Sequence, residues 1–91
     1  MPVSLIAHDK ADAGSLRADN RAAHLAYLEK HSEIVSQAGP FLDADEAMIG
    51  SLIILDVPDM KTAVLFAKDD PYALAGLFDE AILRPWKRVI G

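Results

Sequence analysis

Apolar and polar positions alternate in blocks along the chain. Val3 to His8 is a short apolar run with a β-branched start, closed by the polar stretch Asp9-Lys10-Ala11-Asp12-Ala13-Gly14. It predicts a first strand. Leu16 to His31 has neither Pro nor Gly and is rich in helix formers; it predicts a helix with Ser15 at its N-cap. Ala18, Ala22, Leu25 and Leu28 form its apolar stripe, the expected buried side. Arg17, Arg21, His24 and His31 follow the stripe's edge at spacings of four, three and seven, which stack side chains on one side of a helix.

Ile34 to Phe41 predicts a second strand, ended or bent by Gly39-Pro40 and therefore at an edge or a bulge. Asp43-Ala44-Asp45-Glu46 is an acidic loop. Ser51 to Val57 is the most apolar strand, with aliphatics on both faces. Asp59 is a sound N-cap for a helix from Met60 to about Ala67, with Met60, Ala63, Val64 and Ala67 as its buried stripe. Asp70 at N-cap, Pro71 at N1 and Gly76 as terminator describe a short helical turn. Leu77 to Arg84 predicts a last strand, ended by Pro85, with Trp86 and Val89 in a tail. The order β-α-β-β-α-β, undivided by linker or repeat, predicts one α+β domain over residues 1–91. It fits the ferredoxin-like arrangement, with two helices on one face of a four-stranded antiparallel sheet. Strands apolar on both sides need cover on the open face. A second copy is the simplest cover, so a homodimer or a higher homo-oligomer is expected.

Composition narrows the function. The chain has 91 residues, 52 % apolar and 25 % charged, with a net charge of -5 from 9 basic and 14 acidic side chains. A core this small is thin. With no cysteine, disulfides, zinc thiolates and thiol nucleophiles are excluded. The acidic balance and few aromatics argue against nucleic acid as a partner. No apolar stretch approaches the roughly 20 residues that span a membrane. Met1-Pro2-Val3-Ser4-Leu5 has no basic region before it, so it is not read as a signal peptide and the cytoplasm is the expected location.

Several short stretches carry a family resemblance: Arg21-Ala22-Ala23-His24-Leu25, Ala38-Gly39-Pro40, Asp70-Pro71-Tyr72, Ala75-Gly76-Leu77-Phe78 and Arg84-Pro85-Trp86. In this order and spacing, the chain resembles YciI-like proteins of the YCII-related group, in the dimeric α/β-barrel superfamily. The resemblance runs over nearly the whole chain. It implies ferredoxin-like subunits packed sheet against sheet and a site built on a His-Asp pair, which carries over to His24 and Asp70. One branch resembles dehydrochlorinases of chlorinated hydroxymuconolactones. Trp86 stands where the family often has Phe, which reshapes packing near the last strand.

His24 is the sharpest candidate, since imidazole moves protons near neutral pH. Asp70 suits either a helix cap or a carboxylate that orients His24. Arg21, one turn from His24, and Arg17 are candidates for binding an anion through planar guanidinium donors. Tyr72 and His8, at the end of the first strand, are further candidates for lining the cleft, and His31 suits the helix C-terminus. No metal set is expected: the histidines are scattered, and Asp43, Asp45 and Glu46 lack a calcium-loop pattern. No phosphate loop or serine-nucleophile turn is present, and no cofactor is expected. Two functions stay open. One is a cofactor-independent lyase or isomerase for a small anionic lactone or hydroxy acid; the other is a non-catalytic binding or accessory module.

Overall fold

The computed structural model describes residues 1–91. The elements are β1 (Pro2–Asp9), α1 (Leu16–Lys30), β2 (Val35–Leu42), β3 (Met48–Asp56), α2 (Met60–Asp69), α3 (Pro71–Leu74) and β4 (Phe78–Pro85). The strands form one sheet in the order β2-β3-β1-β4, every neighbouring pair antiparallel. This is the ferredoxin-like topology the pattern predicted. No helix is long and apolar enough to cross a membrane.

Strand parity decides what each face carries. Val3, Leu5 and Ala7 of β1 stand opposite Leu55, Ile53 and Ser51 of β3, and these positions face the helices. Val3, Leu5, Ile53 and Leu55 join Val57, Ala63 and Phe66 in one buried cluster, with Tyr27, Leu28, Ile34 and Leu83 packed against it. The alternate positions Ser4, Ile6 and His8 pair with Ile54, Leu52 and Gly50 on the other face. There the tail after β4 crosses the sheet end. Trp86 N–H donates to the Pro2 carbonyl, and Arg88, over the Trp86 ring at 5.1 Å, donates to Ser36 Oγ of β2. On this face Ser4 and Ile54 are buried, and the Ser4 hydroxyl donates to the Arg84 carbonyl of β4 at 3.3 Å, whereas Leu52 stays 36 % exposed.

The sheet is not closed into a barrel. Closure needs every strand paired on both sides, whereas β2 and β4 each pair on one side only and form open edges. The dimeric α/β barrel implied by the family resemblance is thus corrected to an open four-stranded sheet.

Three local expectations also change. Ser15 does not cap α1 with its side chain; its hydroxyl donates instead to Asp19 Oδ2 at 2.9 Å. The stripe Ala18, Ala22 and Leu25 is exposed, and α1 turns His24, Tyr27 and Leu28 inward. In α2, Val64 is exposed and Phe66 takes its place in the core. Asp59 does cap α2, accepting from Thr62 N–H at 2.8 Å and from its hydroxyl at 2.7 Å.

Candidate active site

The site lies between α1, α3 and the helix-facing side of β2 and β3. Asp70 precedes Pro71, whose missing N–H and fixed φ suit the first position of α3. Asp70 Oδ1 accepts from the Tyr72 backbone N–H at 2.9 Å and from His24 Nδ1 at 2.9 Å. Both residues are buried, the Asp70 side chain to 1 % exposure. An ionised carboxylate only accepts, so Nδ1 carries the neutral imidazole's proton, and Nε2, with its lone pair, is the nitrogen left for the pocket. The second oxygen, Asp70 Oδ2, is buried without a partner. The Tyr72 ring stacks on the imidazole, with centroids 3.9 Å apart and planes 17° apart, which fixes its orientation.

Arg17 stands two turns before His24 on the same side of α1 and reaches back to β1. Its Nε and Nη2 donate to Asp9 Oδ2 and Oδ1, both at 2.7 Å, a planar two-bond fork. Nη2 also donates to Ser51 Oγ at 3.1 Å. The guanidinium lies 4.7 Å from the Tyr72 ring centroid. Burial works against the Arg17 charge, but the hydrogen bonds and charge of Asp9, helped by Tyr72, outweigh it and raise the pKa above its ordinary value. Tyr72 is pushed up by burial and by Asp70, against the downward pull of Arg17 and Arg21.

Arg17, Arg21, His24, Ser51 and Tyr72 line one pocket of about 160 Å³, walled by Leu25, Leu28, Ile53, Met48 and the Ala38-Gly39-Pro40 stretch of β2. It is small beside typical ligand pockets and suits a molecule of about one ring. Its polar groups split by role. Arg17 is committed to Asp9, so its charge is matched inside the protein. Arg21 is exposed and makes no side-chain hydrogen bond or salt bridge, so it brings an unmatched positive charge to the pocket. No three His, Cys, Asp or Glu side chains converge as a metal-ligand set.

Of the candidate residues read from the sequence, the structure brings His24, Asp70, Tyr72, Arg17 and Arg21 together. His8 is elsewhere. It lies on the opposite face of the sheet, exposed, with its ring 5.8 Å from Phe41. One step in strand parity separates it from Ala7, which faces the helices. Between the two rings, β3 carries Gly50, which leaves Phe41 free to fold over the strand toward His8; a Cβ there would lie 3.1 Å from Phe41 Cδ2. His31 caps the end of α1 and packs on Tyr27 and Phe66. Asp9 and Ser51 escaped sequence reasoning. A signal for Ser51 was available: it is the one hydroxyl in phase with Ile53 and Leu55 on the inward side of an aliphatic strand. Asp9 read as the first residue of a polar turn.

The fold and site together are an open ferredoxin-like sheet with a buried His-Asp pair beside an arginine-lined pocket. The chain belongs to the YCII-related domain family, whose pattern matches residues 1–87. It is 31 % identical to the YciI proteins of Escherichia coli O6:H1 and Shigella flexneri, over 93 % of this chain and 95 % of theirs. Among solved structures, it is similar to the 5-chloro-2-hydroxyhydroquinone dehydrochlorinase of Burkholderia phenoliruptrix in complex with 2,5-dihydroxybenzoquinone. That likeness has a TM-score of 0.86 and 37 % identity, over 96 % of this chain and 94 % of the other. A protein of Arabidopsis thaliana, at 10 % identity and a TM-score of 0.52 over 99 % of this chain and 96 % of its own, shares the fold alone.

Proposed function

We propose that this protein is a cofactor-independent lyase or isomerase acting on a small, anionic, oxygenated ring. The observation that carries the reading is the 2.9 Å contact between His24 Nδ1 and Asp70 Oδ1 at the wall of the pocket. It leaves Nε2 as a base and gives the imidazolium a carboxylate to rest against once Nε2 takes a proton. Arg21 pairs with the substrate's negative charge. The electron pair released by deprotonation either expels a leaving group or accepts the proton back at another carbon. On a chlorinated hydroxylated ring the first route loses one proton and one chloride, net HCl.

The similarity to a dehydrochlorinase of a chlorinated hydroxyhydroquinone supports this chemistry. It also favours a six-membered hydroxylated ring over the lactone or hydroxy acid expected from sequence. The test is chloride release from 5-chloro-2-hydroxyhydroquinone and a panel of chlorinated lactones and hydroxy acids. Wild type turns over at least one, and His24→Ala lowers the rate by roughly 10²–10⁴. Unchanged turnover in His24→Ala overturns the acid-base reading. Absence of turnover with His24-dependent binding of small carboxylates establishes the binding-module reading in its place.

We also propose that a second copy of the chain covers the open sheet face, where Leu52, Ile6, Ile82 and Phe41 stay partly exposed in a chain with little core to spare. Light scattering reads a dimer or a higher multiple at micromolar concentration; a stable monomer overturns this.

A further inference from the structure

Ser51 is the odd residue of the site. It is 3 % exposed on the inward face of β3, in phase with Ile53 and Leu55, and its neighbour across the ladder is Pro40. A buried hydroxyl among aliphatics is costly unless its hydrogen bonds are made. Here only half of them are. Arg17 is a donor and never an acceptor, so in the 3.1 Å contact Nη2 donates and Ser51 Oγ accepts. The serine's own proton has no acceptor within the protein, and Ser51 lines the pocket opened by Arg21, His24 and Tyr72. The contact with a charged guanidinium polarises the O–H bond and makes it a stronger donor. Arg17 cannot swing away and release the hydroxyl, because the two-bond fork to Asp9 holds it.

We infer that Ser51 is a specificity-determining residue that donates its hydroxyl proton to a carbonyl or oxyanion oxygen of the ligand, with Arg17 and Asp9 as positioning residues. This rests on the proposed reading of the pocket and sharpens its substrate class. Arg21 supplies the one uncompensated charge, and Ser51 supplies a donor. The ligand therefore carries negative charge and a separate acceptor oxygen on the same ring, as in the anion of a hydroxylated quinone. A ring bearing only neutral phenolic hydroxyls makes poorer use of Ser51 until it loses a proton, because a phenol oxygen is a weaker acceptor than a carbonyl or an oxyanion.

The test is equilibrium binding of 2,5-dihydroxybenzoquinone and of hydroquinone to the full-length protein, for wild type, Ser51→Ala and Ser51→Thr. Ser51→Ala weakens the quinone by about tenfold, the usual loss for one hydrogen bond to a charged or polarised partner. It changes hydroquinone by less than about twofold, and Ser51→Thr restores much of the quinone affinity. Thermal unfolding of each variant shows that the fold is retained, so a selective loss belongs to the ligand and not to packing. Equal quinone affinity in wild type and Ser51→Ala overturns the inference and leaves the acid-base reading standing. Equal loss for both ligands also overturns it, because the hydroxyl then acts through structure alone. Wild type that binds neither ligand overturns the inference together with the ring-substrate reading.

Discussion

One oxygen of Asp70 holds His24 and starts α3 at the same time. Oδ1 lies 2.9 Å from His24 Nδ1 and 2.9 Å from the Tyr72 backbone nitrogen. The cap fixes the carboxylate by local backbone geometry, and the fixed carboxylate then fixes the imidazole on an element 46 positions away in sequence. The bond that stabilises α3 is therefore also what holds the histidine in place.

The two roles separate by substitution. Asn caps a helix nearly as well as Asp, so Asp70→Asn should keep stability within about 1 kcal/mol of wild type. It cannot stabilise an imidazolium as a carboxylate does, so turnover should fall by roughly 10²–10⁴. Asp70→Ala should lose both. The cap costs about 1 kcal/mol, and the stranded Nδ1–H adds a further cost of about 1–3 kcal/mol. Denaturant unfolding and turnover on the same three proteins read the contrast. Wild-type turnover in Asp70→Asn leaves Asp70 as a cap only.

The two arginines should fail in opposite ways. Arg17 and Asp9 side chains are 11 % and 10 % exposed and joined at 2.7 Å. Arg17→Ala strands the Asp9 charge and should cost about 3 kcal/mol of stability, as breaking a buried pair does. Arg21 is exposed and pairs with nothing, so Arg21→Ala should leave stability within about 0.5 kcal/mol. Its cost should appear in affinity for an anionic ligand, and the wild-type affinity should weaken as salt rises. Equal stability loss in both variants contradicts this division of labour.

Much of the fold was legible because its signals are local. Asp59 and the Asp70-Pro71 pair mark helix starts by backbone chemistry, and the aliphatic run around Ile53 marks a central strand. What failed depends on phase. His8 and Ala7 differ by one step, yet they face opposite sides of the sheet, and no local signal fixes that parity. In α1 the alanines drew an apolar stripe, but the helix turns His24 and Tyr27 inward, because the site supplies Asp70 for the imidazole and the Phe66 carbonyl accepts from the Tyr27 hydroxyl at 2.8 Å. The commitment of Arg17 was hidden for a related reason: Asp9, the partner that draws it in, sits on another element. The open sheet edges of β2 and β4 overrode the barrel that the family likeness implied.

Two glycines in adjacent strands should respond differently to alanine. At Gly50 an added Cβ would lie 2.5 Å from the Ala7 carbonyl oxygen and 3.1 Å from Phe41 Cδ2. Backbone must move, so Gly50→Ala should cost about 1–3 kcal/mol. The displaced stretch of β1 runs on to Asp9, so the fork to Arg17 should loosen as well. At Gly39 nothing lies within 4 Å of an added Cβ, and Gly39→Ala should stay within about 0.5 kcal/mol. Thermal unfolding of the pair checks it, and a neutral Gly50→Ala contradicts the close approach.

Stability should also decline at both ends of the pH scale, for opposite reasons. Burial first, then the charges of Asp69 and Asp70, push Tyr27 up to about 12, and burial raises Tyr72 as well. The folded state therefore favours the neutral phenols. Their contribution is fully present below the unfolded tyrosine value of about 10 and is lost as pH rises toward 12. At about pH 10.5 Tyr27 should still be neutral in the native protein, and unfolding in denaturant at that pH should raise the phenolate absorbance. At the acid end, the hydrogen bonds from Thr62 hold Asp59 below its ordinary value. Its contribution is present above the unfolded value of about 3.9 and is lost as pH falls through the lowered folded one. Asp59→Asn keeps the cap without the charge, so its stability difference from wild type should shrink as pH drops below about 4. A native titration with both phenols near 10, or an Asp59→Asn difference independent of pH, breaks the corresponding half.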